Sequence, residues 1–168
     1  MCTDFPKHAI IIRYMNREKE NAMYIIETFS PEETFEFGKK IGAAANPDSV
    51  YALNGDLGVG KTVFTQGLAA GLGITEPVTS PTFTILQNYE GGRLPFYHFD
   101  VYRIGDIEEM DEIGYDDCFF GGGVSLVEWA EIVDEILPEN TIYITIEKDP
   151  EKGFNYRKIT VMRREDRA

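Results

Sequence analysis

Three glycines and a Lys-Thr pair close the stretch "ALNGDLGVGKT", residues 52 to 62. No other part of the chain limits its fold so severely. Gly55-Asp56-Leu57-Gly58-Val59-Gly60-Lys61-Thr62 has the form G-x-x-x-x-G-K-[ST]. A loop that wraps an anion must turn successive backbone N–H groups inward, and residues without a Cβ enter that conformation at least cost. It needs a buried strand before it and a helix after it, because the helix presents free N–H groups and a positive dipole end to the same anion. The flanks agree: residues 49–54 ("SVYALN") read as a buried strand, and a helix is predicted from near Gly60 to a C-cap at Gly73. A chance match to the pattern arises in roughly one such chain in a few hundred. The candidates for holding a nucleotide's phosphates are therefore Asp56, Leu57, Gly58, Val59, Gly60, Lys61, Thr62 and Val63. Lys61 supplies a charge near the β and γ phosphates, and the Thr62 hydroxyl is placed to ligate Mg²⁺.

Helix and strand signals alternate through the rest of the chain. Residues 23–28 read as a strand. Ser30 as N-cap, Pro31 at the first helical position and Glu33 completing a capping box predict a helix over 31–45. "SPTFTILQNYE" and "LPFYHFDVYRI" are β-rich runs around Gly91-Gly92, the pattern of a hairpin. An acidic helical segment over 106–117, a buried strand in "GVSLVEW" (123–129) and a helix over 130–136 follow. "NTIYITIEK" and "NYRKITVM" form a second strand pair. The predicted class is α/β, a three-layer fold of the P-loop NTPase type whose mainly parallel sheet is mixed because two hairpins are inserted. Residues 1–22 read as a poorly ordered extension, 23–163 as one domain and 164–168 as a charged tail.

Hydrolysis would need a metal and a positioned water besides the loop. The period of two in "FYHFDVYR" puts Phe96, His98, Asp100 and Tyr102 on one face and Tyr97, Phe99, Val101 and Arg103 on the other. With Phe99 and Val101 in the core, Asp100 is free to face a ligand with His98 beside it; the alternative is an edge strand with a solvated Asp100. "VSLVEWAE" is an apolar strand ending in a carboxylate, and Glu128 falls at its C-terminal end, where open α/β sheets bind ligands. Glu128 there can hold Mg²⁺ or orient the attacking water, or serve only as a charge at a helix start. Trp129 is either a core aromatic or a ring over the nucleotide, and His98 reads more readily as a structural histidine than as a base. Asp111-Glu112-Ile113-Gly114 matches a GTPase D-x-x-G, but no apolar strand precedes it and no N-K-x-D follows, which argues against GTP.

Charge limits the partners. A formal net charge of -13 repels a phosphate backbone, so direct tRNA or DNA binding is not expected. Cys2 and Cys118 are far apart and outside any metal-ligand spacing, which fits reduced thiols in a cytoplasm better than a disulfide framework or a zinc site. The apolar run "AIII" at 9–12 is too short for a signal-peptide core or a membrane span.

Taken in order and spacing, "GDLGVGKT", "SPTFTILQNYE", "HFDVYR" and "VEWAE" resemble the TsaE (YjeE) family of bacterial P-loop ATPases over about residues 23–160. The resemblance implies ATP and Mg²⁺ as ligands and a weak ATPase stimulated by TsaB and TsaD proteins. Those partners carry out threonylcarbamoyl transfer to tRNA adenosine 37, so tRNA is met only through the complex, with no membrane involved. It assigns catalysis to Lys61, Asp100 and Glu128, with Thr62, Asp100 and Glu128 serving the metal. It also makes Ser80 to Phe83 a switch-like loop, with Thr82 or Thr84 sensing the γ-phosphate, and gives Tyr102 and Arg103 a share in the partner interface. The alternative is a P-loop small-molecule kinase. Such kinases close an arginine-bearing lid, and between residues 18 and 156 only Arg93 and Arg103 are available.

Overall fold

The computed structural model describes residues 23–167; the expected extension over 1–22 lies outside the described residues. In chain order the elements are β1 (Tyr24–Thr28), α1 (Pro31–Ala44), β2 (Ser49–Asn54), α2 (Lys61–Gly71), β3 (Leu86–Tyr89) and β4 (Phe96–Asp100). Then come α3 (Glu108–Glu112), α4 (Tyr115–Phe120), β5 (Val124–Glu128), a 3₁₀ segment Ala130–Ile136, β6 (Ile142–Lys148) and β7 (Arg157–Arg163).

One seven-stranded sheet runs in the order β1-β7-β6-β2-β5-β4-β3. β2 pairs in parallel with both β5 and β6, and β5 in parallel with β4. The antiparallel pairs are β3 with β4, β6 with β7, and β7 with β1. This is the predicted mixed sheet, parallel at its centre and carrying two hairpins. The central strands are continuous apolar runs because both faces are covered. Tyr51, Leu53, Leu126 and Ile144 pack with Phe64 and Leu68 of α2 and with Leu72 at its C-cap on one face. Val50, Ala52, Val127 and Phe99 pack with Met110 of α3, Phe119 of α4 and Val133 on the other. Truncating a fully buried ring such as Phe64 to alanine typically costs about 3–5 kcal/mol.

The start of α1 follows the predicted chemistry. Ser30 Oγ accepts from Glu33 N at 3.2 Å, and Glu33 Oε2 accepts from Phe29 N at 2.8 Å. That reach to Phe29, one residue before the cap, is a variant of the capping box. α2 ends as expected: Gly73 N donates to Ala70 O and Ile74 N to Ala69 O, both at 3.0 Å, with Gly73 at φ +83. This is a Schellman closure. The two helices pack through glycines on both partners. A Cβ at Gly38 would lie 2.3 Å from Phe64 O, one at Gly42 2.0 Å from Leu68 O, and one at Gly67 2.1 Å from Phe35 O. No side chain fits between such backbones, and α2, which carries the lysine of the loop, is thereby pressed against α1.

Three local expectations are corrected. "SPTFTILQNYE" is extended only from Leu86 to Tyr89, because the N–H groups of Thr84 and Ile85 both turn back to Pro81 O, at 3.2 and 2.7 Å. The acidic segment splits into α3 and α4 at Gly114, whose φ is +69. Residues 130–136 wind as a 3₁₀ segment entered from Trp129 at φ 59 and interrupted at Val133, whose φ of -120 is not helical. Among the last described residues, Arg164 and Arg167 donate to Asp134 O and Asp134 Oδ1, at 3.1 and 2.6 Å.

Candidate functional site

The loop of residues 55–60 leaves the carboxyl end of the central strand β2 and enters α2. Gly55, Gly58 and Gly60 all have positive φ (147, 72 and 107), the conformations that the sequence reading requires of them. Val59 is buried under the loop, whereas Asp56, Leu57 and Gly58 stand exposed on its crest. Lys61 opens α2 and reaches back across the loop, donating through Nζ to Gly55 O at 2.6 Å and Asp56 O at 3.0 Å. Only 7% of it is exposed. Burial pulls its ammonium below the usual lysine range, opposed by the nearby charges of Glu128, Asp100, Glu131 and Asp56. Thr62 is exposed on the first turn of α2.

Register brings the carboxylates to the loop. Leu53, at the end of β2, is level with Glu128 on β5, which is level with Asp100 on β4. Both acids are almost wholly buried. Asp100 Oδ2 accepts from Ser80 Oγ at 2.7 Å and Thr82 Oγ1 at 3.0 Å, and Oδ1 accepts from Tyr102 N at 3.1 Å. Glu128 Oε1 accepts from His98 Nε2 at 2.8 Å. The expectation of His98 beside Asp100 is therefore refined. The two share a face, but His98 crosses diagonally to Glu128 on the neighbouring strand. A carboxylate only accepts, so Nε2 carries the hydrogen, and the buried Nδ1 has no partner among the described residues. The edge-strand alternative for Asp100 is excluded, because β3 covers β4 on that side. Phe99 and Val101 take one core as expected, and Phe96 on the opposite face takes the other.

Trp129 is half-buried, and its ring centroid lies 4.1 Å from Lys61 Nζ, a cation–π contact, and 4.9 Å from the ring of Tyr102. Its backbone is left-handed at φ 59, held by Trp129 N donating to Leu53 O at 3.1 Å. Ile85, at the end of the Ser80–Thr84 turn, is also left-handed at φ 66, uncommon for a β-branched residue. Strained residues thus border the site on two sides, as is common where geometry is held for chemistry. Phe83 projects outward, 85% exposed, with the Arg103 guanidinium 4.7 Å from its ring centroid.

On the opposite flank, a cleft of about 60 Å³ is lined by Pro31, Thr34, Val59, Gly60, Val63, Asn155 and Arg157. Arg157 lies one residue beyond the arginine-poor stretch 18–156, and no short-range signal ties residue 157 to residue 59. Ser80 as a partner of Asp100 and His98 as the partner of Glu128 were likewise out of reach of linear spacing. Among the described residues no group of three or more His, Cys, Asp and Glu could hold a metal by itself. Nor is any helix there long and apolar enough to cross a membrane. Cys118 is buried, and that burial pushes its thiol up to about 11, well away from a reactive thiolate.

A family model described as "Threonylcarbamoyl adenosine biosynthesis protein TsaE" matches residues 28–159, which span the loop, both acids, β6 and the start of β7. The chain belongs to the TsaE family. The tRNA threonylcarbamoyladenosine biosynthesis protein TsaE of Bacillus subtilis is 50% identical over 133 residues, covering 79% of this chain and 81% of that protein. Its namesake in Treponema pallidum is 46% identical over 117 residues, covering 70% and 86%. Among solved structures, the crystal structure of Bacillus subtilis YdiB superposes with a TM-score of 0.74 at 42% identity, covering 87% of this chain and 88% of that one.

Proposed function

We propose that this TsaE-family chain is an ATPase subunit of the tRNA threonylcarbamoyladenosine pathway, working in the cytoplasm with TsaB and TsaD proteins and leaving the transfer reaction to them. The observation that carries the reading is the convergence on one loop. Lys61 is anchored on Gly55 and Asp56, and Glu128 on the neighbouring strand β5 and Asp100 on β4 beyond it act on its charge.

The residues fit Mg²⁺ as a partner of bound phosphate. A small hard cation keeps several waters and takes one or two carboxylates plus phosphate oxygens, so a three-acid cage is not needed. Thr62, Asp100 and Glu128 are the residues that would hold it, and the ion would neutralise charge on the β and γ phosphates. The hydrogen bonds divide the two acids. Asp100 already accepts three, two of them from Ser80 and Thr82, so it links the state of that turn to the phosphate end. Glu128 accepts from His98 on one oxygen only, and its Oε2 takes no hydrogen bond from the described residues. We assign Glu128 to orienting the attacking water and Asp100 to the metal's hydration shell.

The kinase alternative gains no support. Arg93 is spent on the carbonyls of Gly42, Ala43 and Ala45 at the end of α1, at 2.7, 3.1 and 2.6 Å, and Arg103 lies on the exposed ring of Phe83. The deciding measurement is ATP hydrolysis by the purified chain with and without its TsaB and TsaD. Stimulation by the pair is expected. ATP left intact by the full set would point to a nucleotide-switched binding module, and rapid consumption only with a metabolite acceptor would favour a kinase.

A further inference from the structure

Arg157 opens β7, two strands from β2 on the side away from Asp100 and Glu128. Its Nε donates to Val59 O at 2.5 Å, and its Nη1 donates to Phe154 O at 2.9 Å and Tyr156 O at 2.7 Å. One planar guanidinium thus ties the turn of the second hairpin to the phosphate loop. The hairpin is itself braced: Tyr156 Oη and Lys152 Nζ donate to Glu27 Oε1 at 2.5 and 3.0 Å, and Phe29 packs edge-on against Tyr156.

The consequence follows from peptide geometry. In a trans peptide the C=O and the following N–H point to opposite sides. Holding the Val59 carbonyl out towards Arg157 therefore aims the Gly60 N–H the other way. Gly60, at φ 107, permits that orientation without enforcing it. The loop is pinned at both ends, with Lys61 holding the carbonyls of Gly55 and Asp56 and Arg157 holding that of Val59. The Val59 carbonyl, turned outward and kept there, leaves the Gly60 amide hydrogen facing an anion, the preorganisation that raises affinity by removing an ordering cost.

We propose that Arg157 is a positioning residue for the phosphate loop, setting the Gly60 amide before nucleotide arrives, so that the second hairpin tunes nucleotide affinity. This deepens the ATP-binding reading and rests on it. The fork matters here as well as the charge, because lysine has no Nε–H in the guanidinium plane with which to hold Val59 while bonding the turn.

The test uses the full chain and Mg·ADP titrated by calorimetry into wild type, Arg157→Ala, Arg157→Lys and Lys61→Ala, with thermal melting of each. Nuclear magnetic resonance follows the Gly60 amide in the nucleotide-free proteins. Both Arg157 variants are expected to bind about tenfold more weakly, and the Gly60 amide should shift and exchange faster in both. Wild-type affinity in Arg157→Ala beside a loss in Lys61→Ala overturns the proposal alone, as does full rescue by Arg157→Lys, which would reduce the residue to a charge. If Arg157→Ala melts below the working temperature, Arg157→Lys, which keeps the stem and charge, carries the same comparison. Wild-type protein that takes up no Mg·ADP overturns the nucleotide reading and this proposal together, whereas an unmoved Gly60 amide in the variants overturns this one only.

Discussion

The two halves of the site are built in different ways. The glycine loop, the proposed phosphate side, is contiguous backbone, residues 55–62, shaped by glycine conformations and held by carbonyl contacts from Lys61 and Arg157. The acid side is assembled from side chains on β4, β5 and the turn before β3, and it exists only because the strands are in register. A contiguous half recognises a ligand by shape and charge and tolerates little change along its length. A half assembled from distant segments can respond, because moving any one of them changes the state of the others. Binding should therefore depend on the first half and turnover on the second.

Lys61→Ala is the strongest challenge to that division. It should weaken ATP binding by at least about 100-fold, read by calorimetry. Retained affinity would mean that the loop amides suffice and that the division between the halves is drawn in the wrong place. Glu128→Gln should keep affinity within about threefold while turnover in the presence of the partners falls about 100-fold or more, as removal of a positioned carboxylate commonly does. Unchanged hydrolysis would take the water away from Glu128 and leave Asp100 as the candidate.

Smaller effects sharpen the boundary. Ser80→Ala removes one of two hydroxyls on Asp100 Oδ2 and frees the turn that ends in the strained Ile85. Turnover should drop about three- to tenfold with affinity little changed, and amide exchange over residues 80–86 should accelerate. Equal losses in affinity and turnover would show the turn belongs to the binding half.

The weakest effect concerns the hairpin that carries Arg157. The Tyr156 hydroxyl, then Lys152, holds the Glu27 carboxyl below its usual value near 4.5, against the opposing effect of burial. A depressed carboxylate contributes stability above the unfolded value and loses it as pH falls through the lower folded one. Tyr156→Phe should accordingly be less stable at neutral pH and show a shallower loss on acidification below about pH 4.5, measured by urea melts at stepped pH. Parallel acid profiles for variant and wild type would remove Glu27 from that role.

Much of this was legible in the chain itself. Ser30-Pro31-Glu33 marks the start of α1 because capping is chemistry within four residues, and Gly73 marks the end of α2 for the same reason. The continuous apolar runs of β2 and β5 announce strands buried on both faces. The strand expectation over 80–85 fails because residue type suggests extension there, while the hydroxyls are drawn to an aspartate 18 and 20 residues away.

Sequence alone determined the glycine loop, since its conformation depends on which residues lack a Cβ and on a lysine placed next to them. It also turned Asp100 towards a ligand through simple alternation and set Glu128 at the end of an apolar strand. Only the tertiary structure decided that His98 serves Glu128, that Asp100 holds Ser80 and Thr82, and that Arg157 reaches Val59 across 98 residues. The physical reason is range. Backbone conformation is set by neighbours along the chain, whereas a side chain's partner is set by which strands lie side by side and in which register.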